Sequence, residues 1–153
     1  MNLEFHEKIT KSVIIAMFSD DDLMERMVLK GGNALDIIHG VAHRASVDLD
    51  FSIEDDFRKE ELSTIESKFK KVLNETFRDA GFQSFDINFQ EKPDNVSDDV
   101  ADFWGGYQIE LKIIELGKYR NWAHDLDTLR RNALVTGLNQ GRKITIDISK
   151  CNL

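Results

Sequence analysis

Hydrophobic residues recur at helical spacing in four parts of the chain. The patterns cover residues 3–17, a short stretch after the acidic run at 19–22, residues 59–80 and, less regularly, residues 121–134. Apolar side chains three and four residues apart lie on one face of an α-helix. The spacing therefore predicts four amphipathic helices, the second of which would bury Leu23, Met24 and Met27. The third is the clearest, because Gly81 follows an uninterrupted apolar stripe.

Strand patterns lie between these helices. They occupy a short run before Gly31 and the segments 46–53, 82–90, 106–116 and 142–150. Strict alternation, as in SVDLDFSI, places successive side chains on opposite faces of a sheet. A short helix is predicted between the first two strands, from the N-cap residue Asn33 to Gly40. Together these elements predict an α+β fold, with a mixed β-sheet flanked by helices.

Length and composition predict a single soluble domain over residues 1–153. The chain is 41% hydrophobic and 31% charged, with one proline, which is typical of a globular protein with one core. No apolar run has membrane-spanning length, and the N-terminal MNLEFHEK lacks the basic and apolar regions of a signal peptide. The single cysteine, Cys151, excludes an internal disulfide and fits a reducing cytoplasm, with no membrane partner.

The distribution of charge narrows the expected partners. The formal net charge of −8 argues against nucleic-acid binding over the whole surface, because such binding depends on neutralising phosphates with Lys and Arg. The segment from Lys118 to Lys143 is nevertheless relatively basic. A solvated helix face is the more common explanation for a single charge run, but a local basic groove beside an acidic site also fits.

Two aspartates stand out in the strand SVDLDFSI. Asp48 and Asp50 lie two residues apart, so their side chains share one face, while Leu49 and Phe51 face the core. Two carboxylates this close repel each other unless a cation binds between them. Mg²⁺ is the expected cation, because it prefers hard oxygen ligands and commonly binds one or two carboxylates together with substrate phosphates.

The Gly-Gly pair upstream predicts a phosphate-binding turn, and hence a nucleotide bound together with that ion. Gly31 and Gly32 precede a helix N-terminus, where backbone N–H groups can approach a phosphate closely. Asn33 offers a side-chain donor, and Lys30 and Arg44 offer positive charge for phosphates or carboxylates. A lone Gly-Gly is commonly a turn and a lone pair of aspartates commonly surface charge, but their joint order favours a metal-nucleotide site.

A two-metal site needs a third carboxylate. Asp147 is the first choice, because it lies on the polar face of the short apolar strand KITIDIS. Glu110, on the polar face of YQIELKI, is the second choice. For either residue alone, a solvated strand face is the more common explanation. The four histidines show no metal-ligand spacing, and Cys151 is expected to be structural.

The motifs LKGGNAL and HRASVDLDF, in this order and at this separation, resemble the signature of the AbiEii/AbiGii toxin family of nucleotidyltransferases. The usual form is close to LKGGTAL followed by R-x-S-x-DLDF. The family belongs to the DNA polymerase beta-like nucleotidyltransferase superfamily. The resemblance is detailed over residues 28–53 and covers the rest of the chain in outline, with KITIDIS similar to the strand that supplies the third carboxylate.

The resemblance implies roles for seven residues: Asp48, Asp50 and Asp147 would be catalytic ligands of Mg²⁺, and Gly31, Gly32, Arg44 and Ser46 would bind or support the nucleotide phosphates. Lys30 and Asn33 complete the predicted nucleotide-binding group on the grounds of their own side-chain chemistry. The reaction implied is transfer of a nucleotide from an NTP to an acceptor hydroxyl, with RNA or tRNA as acceptor. A toxin-antitoxin or abortive-infection setting, with a cognate antitoxin protein, is also implied.

Two departures from the family pattern leave alternatives open. Asn33 stands where the family usually has Thr or Ser, and family members continue beyond the point corresponding to Leu153 into a helical region. The chain is thus expected to be an N-terminal catalytic part of a longer protein, or a minimal or degenerate relative. A noncatalytic module that binds a nucleotide or a partner, and a small-molecule nucleotidyltransferase, are the other functions considered.

Overall fold

The computed structural model describes residues 3–29, 47–92, 105–137 and 141–150. Its helices are α1 (Leu3–Met17), α2 (Asp21–Arg26), α3 (Leu62–Asp79), α4 (Leu116–Trp122) and α5 (Leu126–Asn132). Its strands are β1 (Met27–Leu29), β2 (Asp48–Ile53), β3 (Phe82–Lys92), β4 (Gly106–Glu115) and β5 (Ile144–Lys150). A 3₁₀ turn at Lys59–Glu61 leads into α3.

The five strands form one mixed sheet in the order β1-β2-β5-β4-β3. The neighbours β2 and β5 are parallel, and the other three pairs are antiparallel. Strands β2 and β5 are far apart in the chain and adjacent in space, which places Asp50 opposite Asp147. The predicted α+β class, with a mixed sheet flanked by helices, is confirmed.

One face of the sheet forms the main core. Alternate residues of the three central strands are buried there, among them Leu49, Phe51, Tyr107, Ile109, Leu111, Ile144, Ile146 and Ile148. Helices α1 and α3 cover this face with the stripes that their periodicity predicts, including Ile9, Val13, Met17, Ile65, Phe69, Leu73 and Phe77. Because the apolar residues alternate with polar ones, the polar side chains of β2, β5 and β4 lie on the opposite face.

A second, smaller cluster lies where α4 and α5 contact the β3–β4 pair. Phe85 and Ile114 from the strands pack with Leu129 and Ala133, and Tyr119 and Trp122 lie against them. In β4, Ile114 follows the core residue Ile113 and therefore lies on the other face of the sheet. The two short helices thus cover one end of the otherwise polar face.

Several predicted boundaries are confirmed, and some details were wrong. Helix α1 has the predicted bounds, and α3 ends just before Gly81, whose φ is +92°. In α2, Leu23 is buried as predicted, but Met24 is 49% exposed and Met27 already belongs to β1. Met27 is buried as predicted, but from the strand, because α2 ends at Arg26.

The helix predicted over residues 121–134 is in fact two shorter helices. Helix α4 begins at Leu116, and α5 begins at Leu126 after a turn. The break has a local cause, because the Asp125 carboxylate accepts a hydrogen bond from the backbone N–H of Thr128 and caps α5. The helix predicted from Asn33 to Gly40 lies outside the described residues. None of the described helices is long and apolar enough to cross a membrane.

Candidate active site

The three predicted carboxylates share the polar face of the sheet. Asp48 and Asp50 are both exposed in β2, and the buried Leu49 between them points the other way. Asp147 is the register partner of Asp50 in the parallel β2–β5 pair, and Asp48 is opposite Thr145. Side chains of directly paired residues lie on the same face at neighbouring positions. The sheet therefore brings Asp48 and Asp50 together with a residue almost 100 positions later in the chain.

A hydrogen bond from β4 holds Asp147, and β3 supports it with a second amide and a cation. The amide nitrogen Nε2 of Gln108 donates to Oδ1 of Asp147 at 3.0 Å. Gln108 is only 7% exposed, and its Oε1 accepts a hydrogen bond of 3.3 Å from Nε2 of Gln90. The ammonium group of Lys92 lies 3.8 Å from the same Oδ1 of Asp147. This chain of amides fixes the direction of the carboxylate, and Lys92 provides a positive charge beside it.

Glu110, the second choice for a third carboxylate, lies farther from the aspartate pair. Its register partner is Thr145, so β5 separates it from Asp48. Its Oε2 forms an ion pair of 3.1 Å with the ammonium of Lys143. Direct pairing with Asp50 therefore favours Asp147 over Glu110.

The donor set fits a divalent cation by chemistry and by placement on one face. All three side chains present carboxylate oxygens, the ligands that Mg²⁺ prefers. Within the described ranges, however, no three His, Cys, Asp or Glu side chains lie close enough together to hold a metal ion. The three donor side chains thus lie on neighbouring strands, but their oxygens do not converge on one point.

The predicted phosphate-binding residues lie outside the described part of the chain. These are Lys30, Gly31, Gly32, Asn33, Arg44 and Ser46. The strand that leads to them is described: β1 ends at Leu29, whose register partner is Phe51, the neighbour of Asp50. Because β1 and β2 are antiparallel, β1 runs towards the end of β2 that carries the aspartates.

Sequence reasoning missed the polar residues that contact Asp147. Gln108 follows the same alternation as Glu110 in GYQIELKI, so its position on the polar face was predictable. Its contact with Asp147 was not, because that contact depends on the antiparallel register of β4 against β5. Lys92 was missed for the same reason.

Comparison with known proteins identifies the family of the chain. The family model described as "Nucleotidyl transferase AbiEii toxin, Type IV TA system" matches residues 13–151. No curated protein matches the chain at a significant level. The matched span includes both motifs and all five described strands. Because it covers most of the chain, the chain belongs to the AbiEii family of nucleotidyltransferase toxins of type IV toxin-antitoxin systems.

Proposed function

We propose that this toxin is a Mg²⁺-dependent enzyme that transfers a nucleotide from an NTP to a hydroxyl group of RNA, with tRNA as the preferred class. The family supplies the reaction type, a nucleotide substrate and the antitoxin setting. The observation that carries the proposal is the pairing of Asp50 with Asp147 on the polar face that also bears Asp48. These three carboxylates come from distant parts of the chain and lie on the face opposite the core, so they do not take part in its packing.

In the proposed reaction, the acceptor hydroxyl oxygen forms a bond to the α-phosphorus of the NTP. The bond from that phosphorus to the oxygen bridging to the β-phosphate breaks, pyrophosphate leaves, and the hydroxyl proton passes to water. When bound, Mg²⁺ would neutralise charge on the attacking and leaving oxygens. Asp48, Asp50 and Asp147 would hold it, with Gln108 keeping Asp147 directed towards the site.

The nucleotide phosphates are assigned to the segment after β1. Gly31 and Gly32 would contribute backbone N–H groups, and Lys30 and Arg44 would contribute positive charge. Asn33 and Ser46 would add polar contacts. This assignment rests on the sequence motifs, and the end of β1 near Asp50 supports it.

Thermal unfolding with and without Mg-NTP tests the site. We expect Mg-NTP to raise the Tm of the wild type, because a ligand that binds only the folded state stabilises it. The double variant Asp48→Asn with Asp50→Asn should lose most of that rise, since the amides remove two anionic ligands. For each protein, the rise is the Tm with Mg-NTP minus the Tm without it. This correction is needed because relieving the carboxylate repulsion also changes the Tm without ligand.

A matched control exists in the same strand region. Glu54→Gln with Asp55→Asn also removes two negative charges, in this case from exposed residues just after β2. This variant should keep the full ligand-induced rise. An equal rise in both double variants would exclude Asp48 and Asp50 as metal ligands.

Product analysis tests the acceptor. The protein is incubated with each labelled NTP and Mg²⁺, in parallel with bacterial RNA and with small hydroxylated compounds. Label on RNA that is absent from the Asp48→Asn, Asp50→Asn variant is the expected result. Label on the small compounds alone would instead identify a small-molecule nucleotidyltransferase. Ligand binding with no label on any acceptor would favour a noncatalytic nucleotide-binding module.

A further inference from the structure

A polar pocket lies beside the carboxylates on the same side of the sheet. It has a volume of about 290 Å³ and is lined by Asp86, Asn88, Glu110, Leu111, Lys112 and Lys143. Glu110 belongs to the register row that runs through Thr145 to Asp48. Adjacent strands are roughly 4.8 Å apart, so two strand spacings, about 10 Å, separate the backbones at Asp48 and Glu110.

The strand order places the Gly-Gly motif and the pocket on opposite sides of the three carboxylates, so each side is available to a different ligand. Strand β1, which leads to the Gly-Gly motif, lies on one side of β2, whereas β4 and the pocket lie beyond β5 on the other. If the triphosphate is held next to β1, an acceptor must approach the α-phosphate from the other side, because the attacking and leaving oxygens lie in line. The pocket is on that side.

Two carboxylates, Asp86 and Glu110, balance the two lysines of the pocket lining, and Arg130 adds one further cation that favours an anionic ligand. The segment 118–143 contains six basic residues and two acidic ones, in a chain with a net charge of −8. Two cations from β4 and α5 reach the pocket lining, since Lys112 and Arg130 both form ion pairs with Asp86. Helix α5 thereby places the middle of the basic segment next to the pocket.

Lys143 is the residue best suited to bind a phosphate there. Its ammonium lies 3.1 Å from Oε2 of Glu110, and its side chain is 63% exposed. Because the Lys143 side chain is open to solvent, its ion pair with Glu110 contributes little to stability, and a phosphate can take the place of the carboxylate. Asn88, exposed on the neighbouring strand, adds an amide that can donate and accept hydrogen bonds.

We infer that this pocket receives the terminal nucleotide of the acceptor RNA, with Lys143 bound to its phosphodiester and Asn88 and Glu110 beside the nucleoside. The inference rests on the proposed function and adds to it the place where the acceptor binds. The hydroxyl of that nucleotide would then lie between the pocket and the aspartate pair, on the face that both share.

Direct binding and kinetics test the inference with the full chain. A short 5′-labelled RNA with a free 3′ hydroxyl is titrated by fluorescence anisotropy, and KM for the same RNA is measured at saturating Mg-NTP. Lys143→Ala should weaken RNA binding and raise KM about tenfold, the usual effect of losing one charge-assisted contact. The affinity for Mg-NTP, followed by the rise in Tm, should stay within about twofold.

Lys118→Ala is the matched control. Lys118 is 52% exposed and pairs with Glu115 as Lys143 does with Glu110, but it lies on α4 and does not line the pocket. This variant should bind RNA like the wild type. Asn88→Asp is a second test, because it keeps the side-chain shape and places a negative charge in the pocket, so it should also weaken RNA binding.

The outcomes separate the two proposals. Equal RNA affinity for Lys143→Ala, Asn88→Asp and the wild type would overturn the pocket assignment and leave nucleotide transfer intact. Loss of Mg-NTP binding in these variants would also overturn it, because the pocket would then belong to the NTP. Failure of the wild type to gain stability from Mg-NTP would instead refute the proposed function, while RNA binding still reports on the pocket.

Discussion

At the scale of single residues, Asp86 connects a backbone irregularity to a charge cluster. It has a φ of +52° at the register shift between Phe85 and Asn88 in the β3–β4 pair. Asp and Asn adopt this left-handed conformation more readily than most residues. The carboxylate accepts two hydrogen bonds from Arg130, at 2.8 and 2.9 Å, and one from Lys112 at 2.9 Å. The bulge thus aims Asp86 at two cations and ties α5 to the sheet.

We expect Asp86→Asn to lower the free energy of unfolding by roughly 1–2 kcal/mol at neutral pH. Asn tolerates the same φ, so the variant isolates the charge. Arg130, and then Lys112, lower the pKa of Asp86 from 3.8 to about 2. Because the folded-state pKa lies below the unfolded value, the stabilisation is present above 3.8 and is lost as the pH falls through about 2.

Urea unfolding of both proteins across this pH range measures the effect. The difference between wild type and Asp86→Asn should shrink as the pH falls below about 4. Asp55→Asn, at an exposed position after β2, serves as the control and should show no comparable difference. A difference between wild type and Asp86→Asn that stays constant with pH would show that the charge is not its cause.

At the scale of elements, the contact between β4 and β5 determines where Asp147 lies. Gly106 is the first residue of β4 and pairs with Ser149. A Cβ atom at this position would overlap the Ile148 carbonyl oxygen and come within 3.0 Å of the Ser149 Cα. The strands therefore approach closely at this end only because residue 106 has no side chain.

Gly106→Ala should lower the free energy of unfolding by roughly 2–3 kcal/mol, because the β5 backbone must move to admit the methyl group. The matched control is Gly117→Ala in α4, where nothing lies within 4 Å of the added Cβ. That variant should be neutral or gain up to about 1 kcal/mol from helix propensity. Equal stabilities in urea unfolding would contradict the close approach at Gly106.

The same elements show what the sequence could and could not predict. Helices α1 and α3 and strand β2 were predictable, because their own apolar residues determine the period and the buried face. Helix α4 was not, because LGKYRNW contains a glycine and has no clear apolar stripe. Its Tyr119 and Trp122 pack against residues of other elements, which a local pattern cannot reveal.

The sequence likewise predicts some features of the candidate site and not others. The shared face of Asp48 and Asp50 follows from their spacing alone. The strand pattern of KITIDIS already favoured Asp147 over Glu110, but its position opposite Asp50 depends on the β2–β5 pairing, which the pattern does not give. The contact from Gln108 needed the register of a third strand. Long-range pairing is thus the information that periodicity lacks.

At the scale of the whole molecule, charge limits how RNA can bind. The chain has 28 acidic and 20 basic residues, and six of the basic ones fall in the segment 118–143. The net charge of −8 therefore repels a polyanion overall, and we expect RNA to bind where this segment meets the pocket. Binding through such a small area neutralises few phosphates, so its dependence on salt should be shallow.

We expect the logarithm of the RNA association constant to fall with the logarithm of salt concentration with a slope of about −2, which corresponds to roughly three phosphate contacts on a single strand. Lys143→Ala should reduce the slope by about 0.7, the share of one contact, whereas Lys118→Ala should leave it unchanged. Anisotropy titrations over a series of KCl concentrations provide both values. A slope steeper than about −5 would require an extended basic surface, and would contradict binding confined to the pocket and the segment beside it.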